Sequence, residues 1–229
     1  RCASRVFTMT QFYDLAIANY LTGSSGEALR YGENPHQKAL VLKDPFNNGL
    51  AHAKSLQGKE MSYNNYLDAD FALKSLQDVH RWQGQAALPV AVVVKHNTPC
   101  GLAVAESPLR ALEKAWKGDE KSSFGGIIAL NFEVSDQVAD FFANKFVEVI
   151  LAPSFTESAR EKLKKNCRVL EIQLKGSSGT HIRSIEGGML LQESDSFDFS
   201  QSRVVTKNKF AEEKQRLAEF AMIAVKNLK

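Results

Sequence analysis

Two adjacent basic side chains, Lys95 and His96, follow directly on the apolar run Val90–Val94. An imidazole exchanges a proton near neutral pH, and an ammonium group holds an anion. Three other stretches carry polar groups dense enough for chemistry. Arg30–Gln37, R-Y-G-E-N-P-H-Q, offers a guanidinium for bidentate contact with phosphate and a tyrosine ring for stacking. Ser122–Gly126, S-S-F-G-G, holds two adjacent glycines that let backbone approach a ligand or another chain closely. Phe146–Ala152 carries one acid, Glu148, inside an otherwise apolar run. Such a carboxylate needs exposure, a protein cation or a ligand hydroxyl pair. Each feature also has a plain structural reading. On that reading Lys95-His96 is the solvated end of a strand, R-Y-G-E-N-P-H-Q a surface turn, and S-S-F-G-G a tight turn.

The elements that position these groups follow from period and punctuation. Val90–Val94 is β-branched, short and continuous, which predicts a strand buried on both faces. Pro99 and Gly101 predict that it ends within Asn97–Gly101, placing Lys95 and His96 at its carboxyl end. In open α/β sheets ligands bind at that edge. Apolar spacing predicts helices over Phe7–Leu21, Tyr66–Trp82, Pro108–Lys117, Asp136–Lys145, Thr156–Asn166 and Ala211–Leu228. Asn64 or Asn65 is the expected cap of the second of these, beside a place suited to a polar ligand. Further strands are expected at Ala39–Leu42, Ile127–Asn131, Phe146–Ala152, Arg168–Leu174, Met189–Gln192 and Arg203–Thr206, with a strand or bend at Ala51–Gly58. Gly118–Lys121 reads as a turn and Gly176–Gly188 as loop and turn. Strands alternating with helices predict an α/β fold with a mainly parallel sheet and helices on both faces.

Composition bounds the function. The chain has 229 residues, 44% apolar and 24% charged, with net charge +3. That supports a sizeable core and gives no concentrated basic face for nucleic acid. Three cysteines, Cys2, Cys100 and Cys167, make neither a disulfide framework nor a zinc site. A reducing cytoplasm is the expectation, with no membrane span or export signal. Gly-Ser-Ser-Gly occurs at Gly23–Gly26 and Gly176–Gly179, a flexible-linker composition that fits a natural loop or a join across missing sequence.

Three motifs occur in order: R-Y-G-E-N-P-H-Q, V-V-K-H-N-T-P-C-G at Val93–Gly101, and S-S-F-G-G-I-I-A-L-N at Ser122–Asn131. With S-Y-N-N at Ser62–Asn65, F-V-E-V-I-L-A-P at Phe146–Pro153 and R-V-V-T-K at Arg203–Lys207, the chain resembles the 5-aminoimidazole-4-carboxamide ribonucleotide (AICAR) formyltransferase domain of the bifunctional purine-biosynthesis family that also carries IMP cyclohydrolase. The resemblance runs from about Tyr13 to about Lys226. It implies a three-layer αβα fold with a mainly parallel mixed sheet, a cytidine-deaminase-like subdomain without the zinc site. It implies formyl transfer from 10-formyltetrahydrofolate, as co-substrate and without a metal, to the 5-amino group of AICAR. Carried over residue by residue, His96 is the proton acceptor and Lys95 the oxyanion stabiliser. Arg30, Tyr31, Asn65, Phe124, Gly125 and Glu148 bind substrate, with Arg30 on phosphate or ring.

The resemblance also divides the chain. Residues 1–22 match the last helix of a preceding cyclohydrolase domain or a linker, 23–208 the first half of the formyltransferase domain, and 209–229 a helix leading to a second half. It implies a homodimer sharing site residues between subunits, with the second half absent here. Cyclohydrolase activity is therefore not expected of this chain. The rival readings are an inactive nucleotide-binding or dimerisation fragment and, less favoured, a zinc deaminase. The deaminase pattern needs H-x-E and P-C-x-x-C. His96 is followed two residues on by Thr98, and Pro99-Cys100 has no second cysteine after it.

Overall fold

The computed structural model describes residues 6, 10, 13, 14, 17, 26–43, 49–84, 87–174, 180–195, 198–209, 211 and 214–228. A short hairpin comes first, β1 (Glu27–Leu29) with β2 (Ala39–Val41). Then follow β3 (Lys54–Gln57), α1 (Tyr63–Gln83), β4 (Val90–Lys95) and β5 (Thr98–Val104). The chain continues with α2 (Pro108–Gly118), α3 (Glu120–Ser123), β6 (Gly126–Leu130), α4 (Asp136–Phe141) and β7 (Val147–Ala152). It closes with α5 (Glu157–Lys162), β8 (Arg168–Glu171), the hairpin β9 (Thr180–Ile185) and β10 (Gly188–Glu193), and α6 (Gln215–Lys226).

One mixed sheet, ordered β3-β8-β7-β6-β4-β5, organises the chain. β6, β7 and β8 pair in parallel, while β4 is antiparallel to both neighbours and β3 is antiparallel to β8. Four strands, β5 to β8, therefore share a direction against two, so the sheet is mixed and mostly parallel, as expected. Helices cover both faces. α1 and Ile223 of α6 pack on Val90, Val92, Val94, Ile127 and Leu151. α2, α4 and α5 pack on Ala91, Val93, Ile128, Leu130 and Ile150. Val90–Val94 are fully buried, each valine adding roughly 1.5–3 kcal/mol of burial. That explains why the run carries no polar alternation.

The polypeptide departs from the sequence reading in several places. β4 does not end in a loop: His96 and Asn97 both take φ 54° and turn it into β5. Pro99 is tolerated because β5 is an edge strand, and the β4–β5 register shifts between Val93 and Val94. Gly101 is needed there, since a Cβ would stand 1.7 Å from the Ala115 carbonyl oxygen of α2. α1 starts at Tyr63 under a Ser62 cap, three residues earlier than the apolar spacing predicts. Residues Glu120–Ser123 form a helical turn capped by Asp119 rather than part of a turn and loop. Thr180–Ile185 is a strand, held by its partner β10 rather than by an apolar pattern of its own. Arg203–Thr206 forms no strand, and Val205 is 79% exposed. Of the expected Phe7–Leu21 helix, residues 10, 13, 14 and 17 are described and helical, and the rest lies outside the described residues. Residues 23–25 and 176–179, of the two Gly-Ser-Ser-Gly stretches, also lie outside them. Among the described residues no helix is long and apolar enough to cross a membrane.

Candidate active site

The carboxyl end of β4 coincides with the amino ends of β6, β7 and β8, because β4 runs against them. The cleft therefore opens at the amino edge of the parallel strands, opposite to the edge that the general α/β rule favours. Its volume is about 400 Å³. Tyr31, Asn65, Lys95, His96, Gly125 and Glu148 all line it, together with Ser62, Asn64, Asp68 and Asn97.

Lys95 is the last residue of β4, and its Nζ donates to the Phe124 carbonyl oxygen at 2.8 Å. That contact joins the strand end to the S-S-F-G-G loop. Gly125 sits in the left-handed region at φ +73°, and its N–H donates to the Phe146 carbonyl at 2.8 Å. The Phe124 ring does not line the cleft; it is 59% exposed and packs on Phe146 with centroids 5.3 Å apart. His96 occupies the first position of the two-residue turn, with its side chain exposed. Positive φ at both turn positions matches the right-handed twist of a hairpin, though it is strained for residues other than glycine.

Ser62 and Asn65 form a reciprocal cap at the start of α1. The Asn65 N–H donates to Ser62 Oγ at 3.2 Å, and the Ser62 N–H donates to Asn65 Oδ1 at 3.1 Å. This fixes the Asn65 amide, whose Nδ2 donates to Glu148 Oε2 at 2.8 Å. Asn64 is not the cap; its Nδ2 donates to the Glu33 carbonyl at 3.3 Å and ties the R-Y-G-E-N-P-H-Q loop to α1. That loop joins β1 to β2 and closes on itself, with the Gly32 N–H donating to the Gln37 carbonyl at 2.8 Å. Tyr31 reaches the cleft wall from it. Arg30 stands outside the lining residues, with its guanidinium carbon 5.4 Å from the Tyr31 ring centroid.

Glu148 owes its direction to a bulge. Gly126 opposes Val147 while Ile127 opposes Val149, so Glu148 is the extra residue of β7. A regular alternation would send it to the face of Ile150 and Ala152, away from α1. The bulge turns it toward Asn65 instead, a known use of the irregularity beside sites. The protein supplies the cation the sequence left open. Arg168 Nη1 lies 3.9 Å from Glu148 Oε2, and its Nε donates to the Glu60 carbonyl at 3.0 Å. Glu148 lines the cleft, and its Oε1 takes no hydrogen bond among the described residues, so accepting capacity there is unused.

Asp68, Asn97 and Arg168 escaped the reading from sequence. Asp68 had one available signal, its spacing of three from Asn65 on the first turns of α1, which puts both on one helix face. Neither described thiol, Cys100 or Cys167, is set up as a thiolate. Burial, then the Asp119 charge, pushes the Cys100 thiol up, and burial pushes Cys167 up to about 12. The arrangement can seat a polar ligand between an acid–amide pair on one wall and an ammonium with an imidazole on the other.

A family model described as AICARFT/IMPCHase bienzyme matches residues 1–229. A bifunctional purine biosynthesis protein PurH of Halalkalibacterium halodurans is 41% identical over 251 residues, covering 100% of this chain and 48% of the relative. The protein of the same description from Listeria welshimeri is 43% identical over 246 residues, covering 97% of this chain and 47% of its own length. The chain thus spans about half the length of the curated relatives it matches. A family-model match over the full chain, with these relatives above 40% identity, makes this chain a member of the AICARFT/IMPCHase bienzyme family.

Proposed function

We propose that this chain contributes one wall of a formyltransferase site in purine biosynthesis. The reaction is transfer of the formyl group of 10-formyltetrahydrofolate to the 5-amino group of AICAR. The carrying observation is that Lys95, His96, Asn65 and Glu148, from three separated motifs, line a single cleft with Tyr31 and Gly125. The amino nitrogen attacks the formyl carbon, and a new N–C bond forms. His96 takes the proton that the weakly nucleophilic amine must lose. Charge gathers on the formyl oxygen, where the Lys95 ammonium stabilises it by roughly 3–4 kcal/mol, as one good donor does in comparable sites. Lys95 spends one of its three donors on the Phe124 carbonyl, leaving others for that oxygen. The bond from the formyl carbon to the folate nitrogen then breaks, and that nitrogen takes up a proton equivalent to the one His96 received, which returns His96 to its neutral form. None of these steps draws on a metal ion.

Glu148 Oε1 and the Tyr31 hydroxyl are assigned to the ribonucleotide, and Arg30 to its phosphate or ring. Phe124 and Gly125 shape the loop over it, and Asn65 holds Glu148 in place. The remaining wall belongs to a second half of the domain and to a partner subunit of a cytoplasmic homodimer. Because the chain spans about half of its relatives, a second reading is that it binds the nucleotide alone but transfers no formyl group. Assay of the isolated chain and of the intact enzyme tests both. Ribonucleotide binding with no turnover by the chain alone is the expected result, and full turnover by it would show the second half to be dispensable.

A further inference from the structure

Resting on that reading of the site, we propose that Asp68 is the positioning residue that aims His96, and that it acts through the backbone. The His96 imidazole makes no hydrogen bond among the described residues, so no side-chain partner orients the ring. Its backbone is held instead. Asp68 Oδ2 accepts the His96 N–H at 3.2 Å, and Oδ1 accepts the Asn97 N–H at 2.6 Å. With its amide turned so that the nitrogen faces these acceptors, Asn97 would donate to Asp68 Oδ1 at 3.3 Å and to the Leu67 carbonyl at 3.1 Å.

Two successive non-glycine residues at φ 54° are disfavoured by about 1–3 kcal/mol each. The β4–β5 hairpin favours that conformation, and a carboxylate spanning both N–H groups fixes it further, because charge-assisted bonds to backbone donors are the strong ones. Asp68 is half-buried on the second turn of α1, and Asn65 on the first turn holds Glu148. One helix end therefore sets both walls of the cleft, the acid through Asn65 and the base through Asp68. A base displaced by about 1 Å from its line of attack costs about 10²-fold in rate.

The test uses the intact enzyme carrying Asp68→Asn, Asp68→Glu and, as control, Asp70→Asn, which removes only the exposed pair with Lys74. Asp68→Asn turns one acceptor into a donor facing a backbone N–H. It is expected to lower kcat about 10²-fold while ribonucleotide Kd stays within about threefold. Hydrogen exchange at the His96 and Asn97 amides is expected to quicken, with the rest of α1 unchanged. Asp68→Glu keeps both acceptors and is expected to recover part of the rate, and Asp70→Asn to behave as wild type. A kcat in Asp68→Asn within about twofold of wild type overturns the proposal. So does an equal loss of binding and thermal stability in Asp68→Asn and Asp68→Glu, which marks a merely structural role. If the wild type transfers no formyl group, the reaction assignment fails and the amide exchange decides alone. Exchange unchanged in Asp68→Asn then overturns the positioning role, and faster exchange confined to His96 and Asn97 supports it.

Discussion

Replacing Glu148 by Gln would leave the Arg168 side chain, only 10% exposed, without its carboxylate partner. The pair is wide at 3.9 Å and the Glu148 side chain is 40% exposed, so screening reduces its worth. A loss of about 1 kcal/mol in chemical denaturation is expected, along with roughly tenfold weaker ribonucleotide binding. An unchanged affinity by calorimetry would remove Glu148 from the ligand. Thiol chemistry gives a second residue-scale check. With Cys167 pushed up to about 12, it is protonated and inert between pH 7 and 9. Peptide mapping after iodoacetamide treatment of the native chain should find Cys167 unmodified. At this scale the sequence was legible where chemistry and rarity coincide. Lys95, His96 and Glu148 stand out in apolar surroundings. Asp68 and Arg168 do not, because an acid on a helix and a cation at a strand start are ordinary until the fold puts them beside a turn or a carboxylate.

The elements divide along the same line. β4, α2, β6, β7 and α6 were readable from apolar runs, period and punctuation. β5 was not, because Pro99 and Gly101 speak against a strand, and only its edge position and the close approach of α2 reconcile them. The bulge that turns Glu148 was equally invisible, since it arises from the pairing of two strands. Gly101→Ala forces a methyl against the Ala115 backbone at 1.7 Å and should destabilise by about 3 kcal/mol, read as a lower urea midpoint. Ser62→Ala removes half of the reciprocal cap of α1 and should lose about 1 kcal/mol. Because that cap also fixes Asn65, ribonucleotide affinity should fall with it, whereas a purely local cap loss would leave binding intact.

Three solvent-accessible acidic groups are held charged by local donors, each adding a modest, solvent-screened share of stability. Ser122 holds the Asp119 carboxyl below the usual range, Ser158 and then Thr156 and Lys162 do so for Asp136, and Ser200 for Asp198. A depressed carboxyl adds stability that is fully present above its unfolded pKa, about 4, and is lost as pH falls through the lower folded value. The urea midpoint should therefore drop between pH 5 and pH 2.5, and Asp136→Asn should flatten part of that slope. An identical slope in the variant would show that the Asp136 contacts at the start of α4 contribute nothing. The αβα layering was legible because strands and helices alternate. The direction of β4 was not, and it decides that the cleft lies at the amino edge of the parallel strands. The central claim is that Lys95 and His96 carry formyl transfer there. Its most direct test is the single-turnover rate of the intact enzyme with His96→Ala, measured beside ribonucleotide affinity. The account predicts turnover lost by about 10³-fold or more with affinity kept within about tenfold. A near-normal rate in that variant would contradict it.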